Sequence, residues 1–581
     1  MEYKTKNKKS KIKVFLSSII APALIVQIAP AIGFFATYLV SVSYYFLKDS
    51  RFPIEDPNIP LIFTIINLIL FGIGLYFQKI YPPKENISLR RGAWIVFYVW
   101  LIACSISALY FVVNGFPVPN RADEFTFLRQ FIDGFYESMS GYTTTGASIL
   151  PSVEVFPRSL LFWRTLLHWI GGMGIVYMAI TLWENFKSSR QAVINSEAEA
   201  HEIVYFSSQK EARDSGWSFL RAYALLSSIL LILLFISGTF FRATPYQNWY
   251  DNAFDSVTHM FSTIGTGGFS TYDLSAGLPS KIEDGKIILG GLQNKVSEWI
   301  LSFFMLFSGI NFSLWYILFF SKNKKPFWKN TEHKVYWAYV LICTFGIVYF
   351  LWQNGTYQNF EQIFRYAFFN VASIVSTTGL ANWDFTTWQN GAIGFLFVCY
   401  LVGSMVGSTG GGTKVIRFIV SYKHIKRQLV HLIYGKDHGH FVVDEIEYGS
   451  RKSALVVATI AIYFFIFILG AILLLVFSGN GVLPDGKISY LDFGTAIASS
   501  IANLGNIGPG IFYGGGFNIG PVGNYYAFSL SGKIILILLM YIGRVGVLAV
   551  IMLFLKSSGE ERFFESVPTV KFNKEQPVLK Q

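Results

Sequence analysis

Ten stretches of the 581-residue chain run for more than 20 residues with few charges, at about 14–47, 60–81, 93–115, 158–184, 217–242, 298–321, 333–353, 390–421, 452–479 and 530–556. A bilayer core about 30 Å thick is crossed by about 20 apolar residues of helix, so each stretch reads as a transmembrane helix. Composition agrees: 14% of the residues are charged, against roughly 25% in an ordinary globular chain. A soluble cytosolic enzyme, a disordered chain and a fibrous one are excluded on that ground. The first stretch is longer than a span needs, and a signal peptide would have a shorter apolar region before a small-residue cleavage site. It reads as an uncleaved helix.

The net charge of +12 is not one basic patch, so nucleic acid is not an expected partner. Six lysines fall within the first 13 residues, and the others gather in alternate polar gaps, as with Lys187, Arg190 and Lys210 or Lys322, Lys324 and Lys325. An even number of spans and the positive-inside rule then place both termini in the cytoplasm. The expected surroundings are membrane lipid. Cys104, Cys343 and Cys399 all lie in apolar stretches, which leaves neither a disulfide framework nor a CxxC metal pair.

Four segments are apolar at their start and end in a Ser/Thr/Asn/Gly-rich turn: Phe125 to Ser148, Tyr250 to Thr271, Phe360 to Asn382 and Ser489 to Gly510. Aligned on Gly146, Gly267, Gly379 and Gly508, they recur about every 120 residues, the signature of four repeats of one unit. Each unit is a span, a descending half-helix, a glycine turn and a second span. The expected fold is an all-α polytopic membrane protein with four such helix–pore-loop–helix units around one pore, plus two additional N-terminal helices. The units fall at 93–185, 217–321, 333–421 and 452–556, after a basic tail at 1–13 and the extra helices at 14–92. A second tail occupies 557–581.

Broken backbone is tolerated at membrane depth only where it is buried in protein or lines water or ions, and four such turns meet only on a common axis. Glycine admits positive φ, which lets successive carbonyl oxygens face that axis. Rings of backbone carbonyls replace the hydration shell of a cation. The half-helices precede the turns and present their negative C-terminal ends to the same place. A cation pathway follows, against the blander reading in which a small-residue turn merely lets two helices pack closely.

At these residues the sequence resembles the TrkH/KtrB superfamily of potassium transporters, and the two extra N-terminal helices resemble its TrkH and TrkG branch. FWRTLLHWIGGMGIV (Phe162 to Val176), MLFSGINFSLWY (Met305 to Tyr316) and the LGNIGPG form of the fourth turn belong to the same resemblance, which spans about 90–556. It implies potassium as the transported substrate with no organic cofactor, and a homodimer with one pore per protomer. The filter would be Thr144, Thr145 and Gly146; Gly265, Thr266 and Gly267; Thr377, Thr378 and Gly379; and Asn506, Ile507 and Gly508. In related plant transporters a serine at the first filter glycine goes with sodium preference, and Gly146 implies potassium. The resemblance also implies a cytoplasmic nucleotide-binding regulatory subunit of the TrkA kind, and a plasma-membrane location, the inner membrane in a Gram-negative cell.

The eighth span carries VGSMVGSTGGGTKVIRF. Each glycine there costs about 1 kcal/mol relative to alanine in a helix, so this helix is expected to break in mid-membrane. In the resembling family the break is an intramembrane gate, which assigns Gly407, Gly410, Gly411, Gly412, Thr413 and Lys414 to it. GSTGGGTK departs from the Walker order and lies between apolar spans, which excludes a phosphate loop. Arg544 lies in the last span within LMYIGRVGVLAV with no other charge nearby in sequence, and an intramembrane arginine faces a cavity or a partner; the resemblance places it beside the gate. Arg164 and His168 share a helix face and are expected to serve helix packing beside the small-residue run GGMG.

A sodium-coupled or sodium-permeable transporter on the same scaffold is the alternative within transport. A polytopic membrane enzyme is the alternative from another class, and it calls for a ligand cluster or paired carboxylates at a membrane face. Glu197, Glu199, His201 and Glu202 are close in sequence but read as a solvated helical face. No enzyme activity is expected.

Overall fold

A computed structural model of the protein describes residues 16–47, 56–81, 89–115, 127–174, 209–241, 249–273, 275–276, 282–283, 286–287, 294–355, 359–435, 440–444, 446–478, 480–482 and 488–554. Both tails and the acidic group at Glu197 to Glu202 lie outside these residues. After short helical turns at Leu16–Ile20 and Ala21–Ile25 come α1 (Ile28–Leu47) and α2 (Asn58–Ile80). These two pack on each other and on the rest, where Phe34 stacks on Trp163 with ring centroids 3.7 Å apart and Phe63 meets Tyr110 at 5.3 Å.

The remaining helices fall into four units. The first has α3 (Leu89–Val113), the half-helix α4 (Phe127–Tyr142) and α5 (Arg158–Gly172). The second has α6 (Gln209–Phe240), the half-helix α7 (Trp249–Ile264), and α8 (Lys295–Ser308) with α9 (Phe312–Phe320). The third has α10 (Thr331–Gln353), the half-helix α11 (Phe360–Val375), and α12 (Asn390–Leu401) with α13 (Val415–Tyr434). The fourth has α14 (Ser450–Phe477), the half-helix α15 (Phe493–Leu504), and α16 (Leu530–Val545) with α17 (Val547–Phe554). Among the described residues three antiparallel hairpins join helices: β1 (Ile282–Glu283) with β2 (Lys286–Ile287), β3 (His440–Val443) with β4 (Ile446–Gly449), and β5 (Asn480–Val482) with β6 (Ile488–Tyr490).

Among the described residues six helices are long and apolar enough to cross a membrane, and the α8–α9 pair makes a seventh if it counts as one span despite its 103° bend. Their outer faces carry exposed large apolar side chains such as Ile32, Ile342 and Phe465, while one apolar core runs through all four units. The chain is an all-α, multi-pass membrane protein. The half-helices have 16, 16, 16 and 12 residues, so at 1.5 Å per residue the longest reach about 24 Å and cannot cross. Their Ser, Thr and Asn side chains bond back to the preceding turn, as Ser138 does to Gly134 O at 2.7 Å and Asn370 to Tyr366 O at 2.9 Å.

The glycine count marks a break in one second helix, and the structure also breaks those of the second and fourth units, while α5 ends at Gly172. That expectation is corrected by close contacts: Gly171 and Gly543 press on the last carbonyls of the half-helices of their own units, Tyr142 O and Leu504 O, where any Cβ would collide. α5 stops at Gly172, α8 turns into α9 over 309–311, and α16 yields to α17 at Gly546 with φ +92°.

Candidate ion pathway

The four turns share one backbone form. The first residue of each has positive φ, at Thr144 (54°), Thr266 (53°), Thr377 (59°) and Asn506 (52°), and so does the glycine two residues on, at Gly146, Gly268, Gly379 and Gly508. The residue between them donates its N–H to the half-helix five residues back in every unit: Thr145 to Ser140 O, Gly267 to Ser262 O, Thr378 to Ser373 O and Ile507 to Ala502 O, at 2.8–2.9 Å. This pattern corrects the second turn by one residue. Its triplet is Thr266, Gly267 and Gly268, so Gly265 and Gly267 do not occupy the positions their alignment assigned. Left-handed backbone at a β-branched residue costs about 1–3 kcal/mol, so three of the turns are strained; Asn506 tolerates that region better.

The turns close into a ring. A Cβ on Gly146 would collide with Gly267 O, one on Gly268 with Thr378 O, one on Gly379 with Ile507 O, and one on Gly508 would lie 2.5 Å from Thr145 O. Each glycine thus makes room for a carbonyl of the next turn, and the last makes room for the first. The intervening side chains are tied down, with Thr143 Oγ1 2.8 Å from Thr145 Oγ1 and Ser376 Oγ 2.7 Å from Thr378 Oγ1. On one side of the ring a cavity of about 100 Å³ is lined by all four positive-φ glycines together with Ser148, Asp273 and Asn524. Tyr525 spans its rim, donating its hydroxyl to Gly508 O at 2.8 Å and its N–H to Ser148 O at 2.8 Å.

Arg164 and His168 do more than pack helices. The Arg164 guanidinium pairs with Glu137 at 2.7 Å and donates to Ser270 O at 3.2 Å, so it ties the first half-helix to the chain beyond the second turn. His168 Nε2 accepts from Phe269 N at 3.1 Å, which leaves Nδ1 as the donor to Gly141 O at 2.8 Å. Those partners require the neutral Nδ1–H ring. The imidazole fills the space a Cβ on Gly267 would need.

Directly beneath the ring lies the loop 402–414, between α12 and α13. Gly407 and Gly412 have φ of +72° and +66°. Met405 N and Thr409 N bond to Gly309 O and Ser308 O at 2.9 and 3.4 Å, and Phe312 N bonds back to Gly407 O at 3.0 Å, so the loop seats on the α8–α9 bend. Gly411 N donates to the hydroxyl of Thr377, in the third turn, at 2.7 Å. Lys414 Nζ folds back on Gly410 O and Gly411 O and on Ser404 Oγ, while Thr413 Oγ1 donates to Leu401 O. Arg544 reaches the same loop: its guanidinium donates to Thr409 O at 2.6 Å and to Gly171 O at 2.6 Å. The ring, the loop and the arginine are stacked.

A family model described as TrkH, cation transport protein, matches residues 64–566. The chain belongs to the TrkH family. Relatives include the Trk system potassium uptake protein TrkH of Escherichia coli K12, 28% identical over 81% of this chain and 86% of that protein. TrkG of the same organism is 27% identical over 85% and 90%. The crystal structure of the potassium transporter TrkH from Vibrio parahaemolyticus superposes with a TM-score of 0.71 at 23% identity, covering 93% of this chain and 98% of that one, and shows the shared fold. The family is one of transporters, not enzymes. Among the described residues, no three His, Cys, Asp or Glu side chains are grouped to hold a metal ion.

Proposed function

We propose that the chain carries potassium across the membrane along the axis of the four turns, with the carbonyls of Thr145, Gly267, Thr378 and Ile507 in the selectivity filter and the loop 402–414 as a gate below it. The closed ring of glycine–carbonyl contacts carries the reading, because four backbone oxygens converging on an axis replace the water around a desolvated cation. The half-helices end at Tyr142, Ile264, Val375 and Leu504, immediately before the four turns, and their C-terminal ends favour positive charge. In the gate, Arg544 adds a positive charge and a clamp on Thr409 O. The names of the potassium uptake relatives support the choice of ion. The filter triplets, the gate residues, a homodimer, cytoplasmic termini and a nucleotide-binding regulatory subunit of the TrkA kind all belong to this proposal.

Purified protein in liposomes tests it through potassium and sodium flux of wild type, Gly268→Ser, Arg544→Ala and Gly394→Ala. Gly268 is held at φ +82° against Thr378 O, whereas a Cβ on Gly394 meets nothing within 4 Å. Gly268→Ser is expected to lower potassium flux or its preference over sodium by about tenfold or more. Arg544→Ala is expected to raise flux, and Gly394→Ala to match wild type. Equal sodium and potassium flux in wild type would favour the sodium-permeable alternative, and an unaffected Gly268→Ser would remove the ring from the pathway.

A further inference from the structure

The gate loop is held at both ends by a single carboxylate that belongs to neither the filter nor the loop. Glu332 is in the first turn of α10 and is 5% exposed. Its Oε1 accepts from Val406 N at 3.1 Å, in the loop, and from Ile416 N at 3.0 Å, in the first turn of α13. One oxygen therefore pins two backbone points ten residues apart, on either side of Gly407, Gly410, Gly411 and Gly412.

The start of α10 is itself held from outside. Asp444, at the tip of the β3–β4 hairpin with φ +47°, accepts from Thr331 N at 2.7 Å and Glu332 N at 3.4 Å. Two N–H groups with no partner inside the helix are thus capped by a residue more than 100 positions away in sequence. The hairpin has a small core of its own, in which Val443 and Tyr448 pack with Val420 of α13 and Val456 of α14, apart from the main core. Lys423 Nζ bonds to Val442 O at 3.0 Å, and Arg427 donates to Ser450 Oγ at 2.7 Å. The hairpin and α13 are therefore one small body. It meets the gate directly through Ile416 and indirectly through Asp444, the start of α10 and Glu332.

We infer that Glu332 is a positioning residue that holds the loop 402–414 closed, and that the β3–β4 hairpin works it through Asp444. Displacing the hairpin uncaps Thr331 and Glu332, shifts the carboxylate, and frees Val406 and Ile416 together. The inference rests on the reading of that loop as a gate. It supplies what that reading lacks, a route by which a pull on the surface of the protein reaches the obstruction.

Hydrogen–deuterium exchange of segment 403–416 in the purified full-length protein tests the relay without relying on conduction, and potassium and sodium flux from the same preparations tests its consequence. The variants are Glu332→Ala, Asp444→Gly, which removes the cap while suiting the left-handed backbone, and the acceptor-preserving Glu332→Gln and Asp444→Asn. Both truncations are expected to speed exchange in the segment by roughly tenfold to a hundredfold, with a matching rise in basal potassium flux and an unchanged potassium-to-sodium ratio. The two conservative variants are expected to return most of the protection. Unchanged exchange in Asp444→Gly overturns the relay, and it decides alone if Glu332→Ala does not fold. A change of ion selectivity in place of rate overturns the positioning role of Glu332. Altered exchange with no flux from any variant, Arg544→Ala included, leaves the relay standing and removes the transport reading beneath it.

Discussion

The second helix of each unit meets the half-helix of the following one, and the four meetings are not made alike. Between units one and two, Arg158 lies 3.5 Å from Asp251 and 3.6 Å from Asp255. Between two and three, Glu298 pairs with Arg365 and accepts from Asn382 at 2.7 Å. Between four and one, Lys533 pairs with Asp133 at 2.7 Å. Between three and four, α12 and α15 approach each other over a short stretch, and among the described residues no ion pair joins them. The neutral hydrogen bond from Tyr400 to Pro509 O at 2.7 Å and the neighbouring rings of Phe397 and Phe512 stand there instead. The uncharged seam belongs to the helix that breaks into the gate loop. A buried pair penalises any displacement that separates its charges, whereas a neutral contact penalises it less, so the seam beside the gate is the one whose separation costs least.

Breaking the strongest seam gives the largest effect. Lys533→Met leaves Asp133 buried without its cation, and the expected cost is about 3–5 kcal/mol, read as lost thermal stability of the detergent-solubilised protein. Pairing it with Asp133→Leu is expected to recover most of that loss. Glu298→Gln comes next at about 1.5–3 kcal/mol, cushioned because Arg365 keeps its contact with Glu361 at 2.9 Å. Tyr400→Phe is the mildest, at about 1 kcal/mol. The comparison breaks if Tyr400→Phe costs as much as Lys533→Met. It sharpens if Tyr400→Phe alone raises basal flux while the other two lower stability without changing it.

Much of this architecture was legible in the residues, and the failures have physical reasons. Apolar length marked the six helices that are long enough to cross a membrane among the described residues, whereas the expected spans at 158–184, 298–321, 390–421 and 530–556 hold shorter or bent helices there. Each glycine-rich turn follows a short helix, and both signals come from local composition. The register of the second turn was lost because IGTGGFS offers Gly265, Gly267 and Gly268 within four residues. Composition does not say which of them takes positive φ, whereas the hydrogen bond from Gly267 N to Ser262 O does. The ends of α5 and α16 were missed because a few glycines in an apolar run are ordinary in membrane helices, and the contacts that require them, Tyr142 O and Leu504 O, come from other elements. Arg544 drew attention as a charge within a span, and Glu298 and Lys533 carried the same signal without being followed. Glu332 gave no signal, since an acidic residue in the first turn of a helix is commonplace and its partners lie 74 and 84 positions away.

The Lys533–Asp133 pair also sets a clock. The two residues are 400 positions apart, and at roughly 5–20 residues per second a ribosome adds that much chain in about 20–80 s. Throughout that interval the first half-helix already carries an aspartate that will end up buried, yet its lysine has not been made, and the carbonyl of Thr145 has no Gly508 to receive it. The nascent first unit must therefore wait in the membrane or its translocation machinery with one flank unfinished, and the ring cannot close until Gly508 has been made. Premature termination before Gly508 would leave a chain without the residue that closes the ring.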